Sequence, residues 1–498
     1  MRLPRASGIL LHPTSLPGPH GSGDLGPEAR HFIDWLGVAG QRLWQILPLG
    51  PIGPGHSPYM SGSACAGNPL LIDLGELQQR GWLDSAELAD APRGDPHRVD
   101  WARVVPWRMA RLEQAAARFA RQADATQQQA LADWAAGQAH WLDDYLLFMA
   151  LDEAHPGLRW TQWPAALAAR APDALAAARQ RLAPRIAFWR FVQWCFARQW
   201  QALRAHARSR GVRIVGDAPI FIAHHSAEVW AAPALFELDA AGEPTVIAGV
   251  PPDYFSATGQ RWGNPLYRWS AHAADGYRWW IARLRHIFEQ VDIVRIDHFR
   301  GFCDYWEIPA DEPTAIHGRW RPGPGRALFD AAQAALGALP VIAEDLGILT
   351  PDVVALRQAL DFPGMRILQF AFDGGADNVY LPHHHSPDSV VYTGTHDNDT
   401  TLGWWSRAGD HERHHVRSYL ATDGHDIAWA MLRAASASVA DTCIHPMQDV
   451  LTLDGSARMN LPGQGEGWWA WRFDWSQVHG WHGQRLAEMT RLFGRDAD

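Results

Sequence analysis

Three short apolar runs, each ending in acid, constrain this chain more than any other feature. They are Val291-Asp-Ile-Val-Arg295-Ile-Asp297-His298, Leu339-Pro-Val-Ile-Ala-Glu344-Asp345 and Ser389-Val-Val-Tyr-Thr-Gly-Thr-His396-Asp397. Runs this apolar are strands covered on both faces, as in a parallel sheet. They recur roughly every fifty residues, and the second interval holds a helix-like stretch at 352–360 and a further strand at 365–372. Strand, acidic tip and helix in repetition predict a (β/α)8 barrel, an α/β fold whose catalytic residues stand at the C-terminal ends of different strands. In the first run Arg295 and Asp297 are two apart, so a strand puts both on one face. A guanidinium beside a carboxylate in an apolar wall keeps that carboxylate ionised, which suits a nucleophile. Alone, such a pair reads as a structural ion pair. Three acidic strand ends together point to a site.

The rest of the chain fits around this repeat. A strand at 8–15 leads into a loop containing Gly21-Ser-Gly23-Asp-Leu-Gly26. This G-x-G-x-x-G is no dinucleotide site, because a loop with two prolines separates it from its strand and the next strand, 42–49, ends without an acid. It reads as a turn before a helix at 27–37. The long Gly/Pro/Ser-rich loop 51–73 carries Ser57 and Tyr59, and loops of that length in compact domains are functional. Residues 74–209 turn Ala-, Gln- and Arg-rich with helical periodicity at 109–123 and 128–154. We expect a helical insertion between strands two and three, so that 1–73 holds strands 1–2, 74–209 the insertion and 210–498 strands 3–8 with the catalytic residues and aromatic loops. Asp217 lies within the strand 212–222, as a site residue or a turn former before proline. An irregular loop at 249–265 carries Tyr254, Phe255, Gln260 and Trp262, and an aromatic loop follows at 305–309. The last strand, 442–450, leads to Asn460 and the tryptophans after it.

Composition removes whole classes of chemistry. All 44 basic residues are arginine. Without lysine there is no Schiff base and no Walker A phosphate grip. A net charge of −10 gives no broad attraction to nucleic acid or anionic membrane. Four scattered cysteines, no signal-peptide pattern and no 18-residue apolar span suggest a cytoplasmic protein. The 27 tryptophans are many, and aromatic faces stack on the C–H faces of sugars. His411-Glu412-Arg-His-His415 matches the zincin H-E-x-x-H, but in so polar a stretch it reads as solvated surface, as does His383-His384-His385.

Together these residues resemble the 4-α-glucanotransferases of the amylomaltase, or disproportionating, type: glycoside hydrolase family 77 of the α-amylase clan. The matching pieces are Ser57-Pro-Tyr59, Gly216-Asp217-x-Pro-Ile-Phe221, the loop from Gly249 to Tyr267, Arg295-x-Asp297-His298-Phe-Arg-Gly-Phe302, Tyr305-Trp-Glu-Ile-Pro309, Ala343-Glu344-Asp-Leu-Gly347, Gly394-Thr-His396-Asp397-Asn-Asp-Thr400 and Arg458-Met-Asn460. The chain departs from the pattern at Met60-Ser-Gly62-Ser-Ala-Cys65, where Gln and two Phe are expected, at His225 for an acid and at Trp468 for Asn. These changes bear on acceptor fit and chain-length preference and leave the carboxylates intact.

The resemblance implies a retaining double displacement on α-1,4-glucans, with maltooligosaccharides or glucose as partners and no cofactor. Asp297 would be the nucleophile, Glu344 the acid/base and Asp397 the group holding ring hydroxyls. Arg295, His298, His396, Asp217, Ser57, Tyr59, Tyr254, Phe255, Gln260, Trp262 and Asn460 would contact substrate. Glu344 should be raised by its anionic neighbours, and Asp297 lowered by Arg295. A hydrolase with the same carboxylates, or a catalytically dead glucan binder, are the alternatives. Because the His clusters read as solvated, exhaustive chelation should leave glucan conversion unchanged. Loss of activity on chelation, restored by zinc, would contradict this.

Overall fold

The computed structural model describes residues 3–253, 256–347 and 349–496. In chain order its strands are β1 (Ala6–Leu10), β2 (Leu43–Gln45), β3 (Arg213–Pro219), β4 (Val246–Val250), β5 (Gln260–Pro265), β6 (Ile293–Asp297), β7 (Asp304–Pro309), β8 (Arg319–Pro322), β9 (Val341–Ala343), β10 (Gly364–Ile367), β11 (Ser389–Tyr392) and β12 (Thr442–Pro446). Eight of them form one parallel sheet in the order β10-β11-β12-β1-β2-β3-β6-β9. Its two ends meet where the Ala343 amide donates to the Pro363 carbonyl at 2.9 Å, so the sheet curls into a nearly closed barrel. The expected (β/α)8 architecture is the one observed. Ile9, Ile214, Val294, Ile342, Met365 and Val390 are almost fully buried, as strands covered on both faces require.

Between β2 and β3 the described residues hold helices and no strand. Trp101–Gln122 shows why. Trp101, Val104, Leu112, Ala115 and Phe119 recur at three- and four-residue spacing and are buried, and Asp100 caps the first turn by accepting from the Arg103 amide at 3.3 Å. Arg108 lies in that apolar stripe, fully buried. It reaches Asp24 at 3.1 Å and the Ile72 carbonyl at 2.7 Å. Asp24 belongs to the Gly21–Gly26 loop, so that glycine-rich turn is anchored to a helix rather than open to a ligand. Trp82, Phe119, Phe191 and Trp194 pack edge-on or tilted against one another, in a core continuous with the barrel. Trp200 donates to the Gln290 carbonyl at 3.0 Å, tying Ala183–Ser209 to the base of β6.

Some boundaries differ from the expectation. The periodicity at 128–154 spans two helices, Ala125–Gly137 and Ala139–Ala154, because the chain leaves helical geometry at Gln138 just after a glycine. The last strand stops at Pro446 and Met447–Val450 is a helical turn; proline has no N–H for the ladder. The stretches expected as irregular loops form a second, antiparallel sheet, β5-β4-β7-β8, over the site end of the barrel. Its strands are short and rich in Gly and Pro, with a register shift between Ile247 and Gly249, so no alternation is visible in the sequence. Among the described residues no helix is long and apolar enough to cross a membrane.

Near the C-terminus the fully buried Arg495 donates to the carbonyls of Ala6, Ser436, Ser438, Ala440 and Asp441, fastening the chain end to β1 and the entry of β12. Arg495→Ala should cost ~1–3 kcal/mol, since the Ser436 carbonyl loses its side-chain donor while Ser438 and Ala440 keep Arg5 and Asp441 keeps the Ala6 amide. A urea-unfolding midpoint equal to that of the unchanged chain would contradict this.

Candidate active site

Register brings the charged strand ends together. Asp217 on β3 pairs with Arg295 on β6, and Ile296 pairs with Ala343 on β9. Asp297 and Glu344 therefore stand one residue beyond a paired position on neighbouring parallel strands. The backbone keeps that register past the strand ends: the Glu344 amide donates to the Ile296 carbonyl, and the Phe299 amide to the Glu344 carbonyl, both at 3.1 Å.

Arg295 is the hub. Only 2% exposed, its Nη1 donates to both oxygens of Asp217, at 2.9 and 2.7 Å, and lies 3.0 Å from Asp297 Oδ1. Burial by itself would weaken the charge on Arg295, but Asp217 and Asp297 overcome that and hold it firmly protonated. For Asp217, burial pushes the carboxyl upward and Asp297 adds to that, while Arg295 and Tyr59 oppose it. Asp297 keeps 30% of its side chain exposed.

Glu344 is held by two amides. His298 N–H donates to Oε2 at 2.7 Å and Leu346 N–H to Oε1 at 3.0 Å. The first contact explains the backbone at His298, which takes φ 53 and ψ 51, the left-handed region that a non-glycine residue rarely adopts. That turn swings the amide toward Glu344 immediately after β6. The Glu344 carboxyl is pushed up to about 7. Burial is the largest cause, Asp297 adds to it, and Arg295 with the two amides opposes. The expected direction holds, but desolvation leads, rather than neighbouring charge.

Asp397 follows β11 across the site, with 39% of its side chain exposed. Asn460 Nδ2 donates to its Oδ1 at 2.6 Å, and His396 Nε2 lies 3.5 Å from its Oδ2. Arg458 donates to its backbone carbonyl at 2.5 Å. Tyr59 joins the two halves of the site. Its hydroxyl donates to Asp217 Oδ2 at 2.9 Å and lies 2.8 Å from His396 Nε2, and its ring stacks on His396 at 5.3 Å between centroids, 12° from parallel. Trp469 packs against both rings. On the other flank the His298 ring meets Trp262 edge-on at 4.9 Å, and burial lowers its pKa to about 4, so it is neutral.

The other expected contacts divide. Gln260 Oε1 accepts from Trp262 Nε1 at 3.1 Å on β5, beside His298. Ser57 Oγ accepts from the Tyr59 amide at 3.2 Å and so caps the turn Pro58–Met60 that presents Tyr59. Tyr254 and Phe255 lie outside the described residues. His225 pairs with Asp152 at 2.7 Å, away from the carboxylates. Of the zincin-like residues, His415 faces the Phe372 carbonyl at 3.2 Å and Glu412 accepts from Trp404 at 3.1 Å, both on Asp410–Leu420. Sequence reasoning missed Arg458 and Trp469 as parts of the frame behind Asp397 and Tyr59. Arg458 stood in the Arg-Met-Asn motif, but Trp469 sat unremarked among neighbouring tryptophans.

Comparison with known proteins gives the family. The sequence model of glycoside hydrolase family 77, described as 4-alpha-glucanotransferase, matches residues 11–477. A 4-alpha-glucanotransferase of Thermus thermophilus is 52% identical over 503 residues, covering 99% of this chain and 100% of that protein. One from Synechocystis sp. is 48% identical, covering 99% and 98%. Among solved structures, an amylomaltase from Streptococcus agalactiae in complex with acarbose superposes with a TM-score of 0.96 at 38% identity over 99% of both chains. With its family motifs set on one barrel rim, the chain belongs to glycoside hydrolase family 77, the 4-alpha-glucanotransferases.

Proposed function

We propose that the chain moves α-1,4-glucan segments from one maltooligosaccharide or starch-like chain to the 4-hydroxyl of another glucan or glucose, by a retaining double displacement at Asp297, Glu344 and Asp397. The observation that carries this is the register of β6 and β9, which sets Asp297 and Glu344 on adjacent strands one step past a paired position. Adjacent parallel strands lie ~4.8 Å apart. That spacing suits the ~5–5.5 Å carboxyl separation of retaining enzymes, which leaves no room for an intervening water.

Each step then has a group suited to it. Asp297, backed by Arg295, attacks the anomeric carbon as the glycosidic C–O bond breaks. Glu344, raised to about 7 and so largely protonated below neutrality, gives its proton to the leaving oxygen. It then takes the proton from the acceptor 4-hydroxyl as that oxygen displaces Asp297, which retains the α configuration. Asp397, held by Asn460, binds ring hydroxyls while positive charge develops on the sugar. Tyr59, Trp262, Gln260, His298 and His396 line the path of the glucan, and the same role is proposed for Tyr254 and Phe255. The helical segment 74–209 serves as a supporting subdomain: Trp200 and Arg204 of its last helix contact the base of β6.

Maltotriose tests the reaction class. The expected products are glucose and a ladder of longer maltooligosaccharides, whereas shortening alone would make the chain a hydrolase. Glu344→Gln should lower turnover by ~10²–10⁴-fold with glucan binding kept. Near-normal turnover would remove Glu344 from the mechanism.

The pH dependence has a definite sign. The acid must be protonated, so kcat/KM should fall as pH rises through about 7, the value to which Glu344 is pushed. Replacing Asp297 by Asn removes a negative neighbour and should lower the Glu344 pKa, as read by carboxyl ¹³C NMR. A Glu344 pKa that does not move in that variant would contradict the coupling.

A further inference from the structure

Behind Asp397 the structure leaves two buried imidazole nitrogens without a hydrogen-bond partner among the described residues: Nδ1 of His12 and Nδ1 of His396. His12 lies two residues past the end of β1. Both residues line one small cavity of about 20 Å³, with Ser15, Thr395, Gln448 and Arg458 among its other walls. Room for one water takes roughly 10–15 Å³, and a water stays in such a space when polar groups surround it. No direct bond joins the two rings, yet they are close enough that His396, after burial, is a cause of the depressed pKa of His12. Both imidazoles are held below their ordinary pKa chiefly by burial, so each is neutral and carries one N–H.

The bonds around Tyr59 decide which nitrogen of His396 holds its proton. Tyr59 has a single hydroxyl proton, and it goes to Asp217 Oδ2 at 2.9 Å. The phenol oxygen, 2.8 Å from His396 Nε2, must then accept. Nε2 is therefore the protonated nitrogen, and Nδ1 is a buried bare acceptor. An acceptor buried without a donor is unfavourable, and the opposite tautomer would break the Tyr59 contact.

We propose that His12 is a positioning residue: through one water in this cavity it holds His396 as the Nε2–H tautomer. The water donates to His396 Nδ1 and accepts from His12 Nδ1–H. Held so, His396 keeps Tyr59 turned to Asp217 and presents its own N–H beside Asp397. A relay then runs from the end of β1 through His396, Tyr59 and Asp217 to Arg295 and Asp297. Its catalytic consequence rests on the reading of Asp397 and His396 as substrate-binding groups. The water and the tautomer do not.

Two structural measurements and one kinetic one test this. A high-resolution crystal structure should show an ordered water within hydrogen-bond distance of both Nδ1 atoms. Ring-¹⁵N NMR, with the His396 signals assigned by a His396→Gln variant, should show Nδ1 as the unprotonated nitrogen, and His12→Leu should shift that signal toward tautomer exchange. The same variant should lower kcat/KM about tenfold, the scale of a lost buried hydrogen bond. His12→Asn, whose amide sits near the position of Nδ1, should stay within about threefold of the unchanged enzyme. Melting temperatures of the two variants separate positioning from general destabilisation. Absence of the water, an unmoved His396 signal in His12→Leu, or equal kinetic loss in the Leu and Asn variants would overturn the proposal. Failure of the active-site reading looks different: Glu344→Gln would turn over normally with the water still in place.

Discussion

The site depends on one buried cation. Arg295 stands in the wall of the barrel, almost sealed from water, and faces Asp217 and Asp297 at once. Carboxylates converging in an apolar barrel repel one another and lose their hydration, and leaving such a charge unpaired in a protein interior typically costs ~3–5 kcal/mol. Arg295 offsets that cost from the centre. All three contacts run from one nitrogen, Nη1, which donates to both oxygens of Asp217 and lies 3.0 Å from Asp297. With Arg295 as hub, Asp297 stands beside a Glu344 that burial drives toward neutrality. One environment thereby yields two carboxyls with opposite tasks.

The rest of the site transmits this arrangement outward. Asp217 passes it to Tyr59, Tyr59 to His396 and His396 to the segment holding Asp397. These residues stand on β3 or follow β2 and β11, so the hydroxyl of Tyr59 fastens the rim of the barrel across its mouth. The left-handed turn at His298 serves the same end on the opposite side. Its strained backbone lets one amide reach Glu344 directly after Asp297. The carboxylates are thus oriented before any glucan arrives, which is where electrostatic catalysis draws most of its effect.

The barrel and its three acids were legible because strand ends in a parallel barrel leave a linear trace. The apolar runs end at Asp297 and Glu344, and the alternation of a strand alone puts Arg295 on the face of Asp297. What the sequence hid was tertiary. Asp217 was ambiguous until the β3–β6 register placed it opposite Arg295. Ser57 reads in the sequence only as a contact for sugar, and the fold adds that its hydroxyl caps the turn presenting Tyr59. The antiparallel sheet over the site left no pattern, because four short strands with a register shift carry too few alternating positions. Counting charges predicted the direction of the Glu344 shift but not its leading cause, since burial belongs to the folded chain.

The assignment of Asp297 as nucleophile is the centre of the account, and covalent trapping tests it most directly. A fluorinated glucosyl donor slows breakdown of the glycosyl-enzyme more than its formation, so the sugar stays on the attacking residue. After proteolysis, mass spectrometry should find the added glucosyl mass on the peptide that contains Asp297, and Asp297→Asn should take up none. A label on the peptide containing Glu344 or Asp397, or one that persists in Asp297→Asn, would contradict the account.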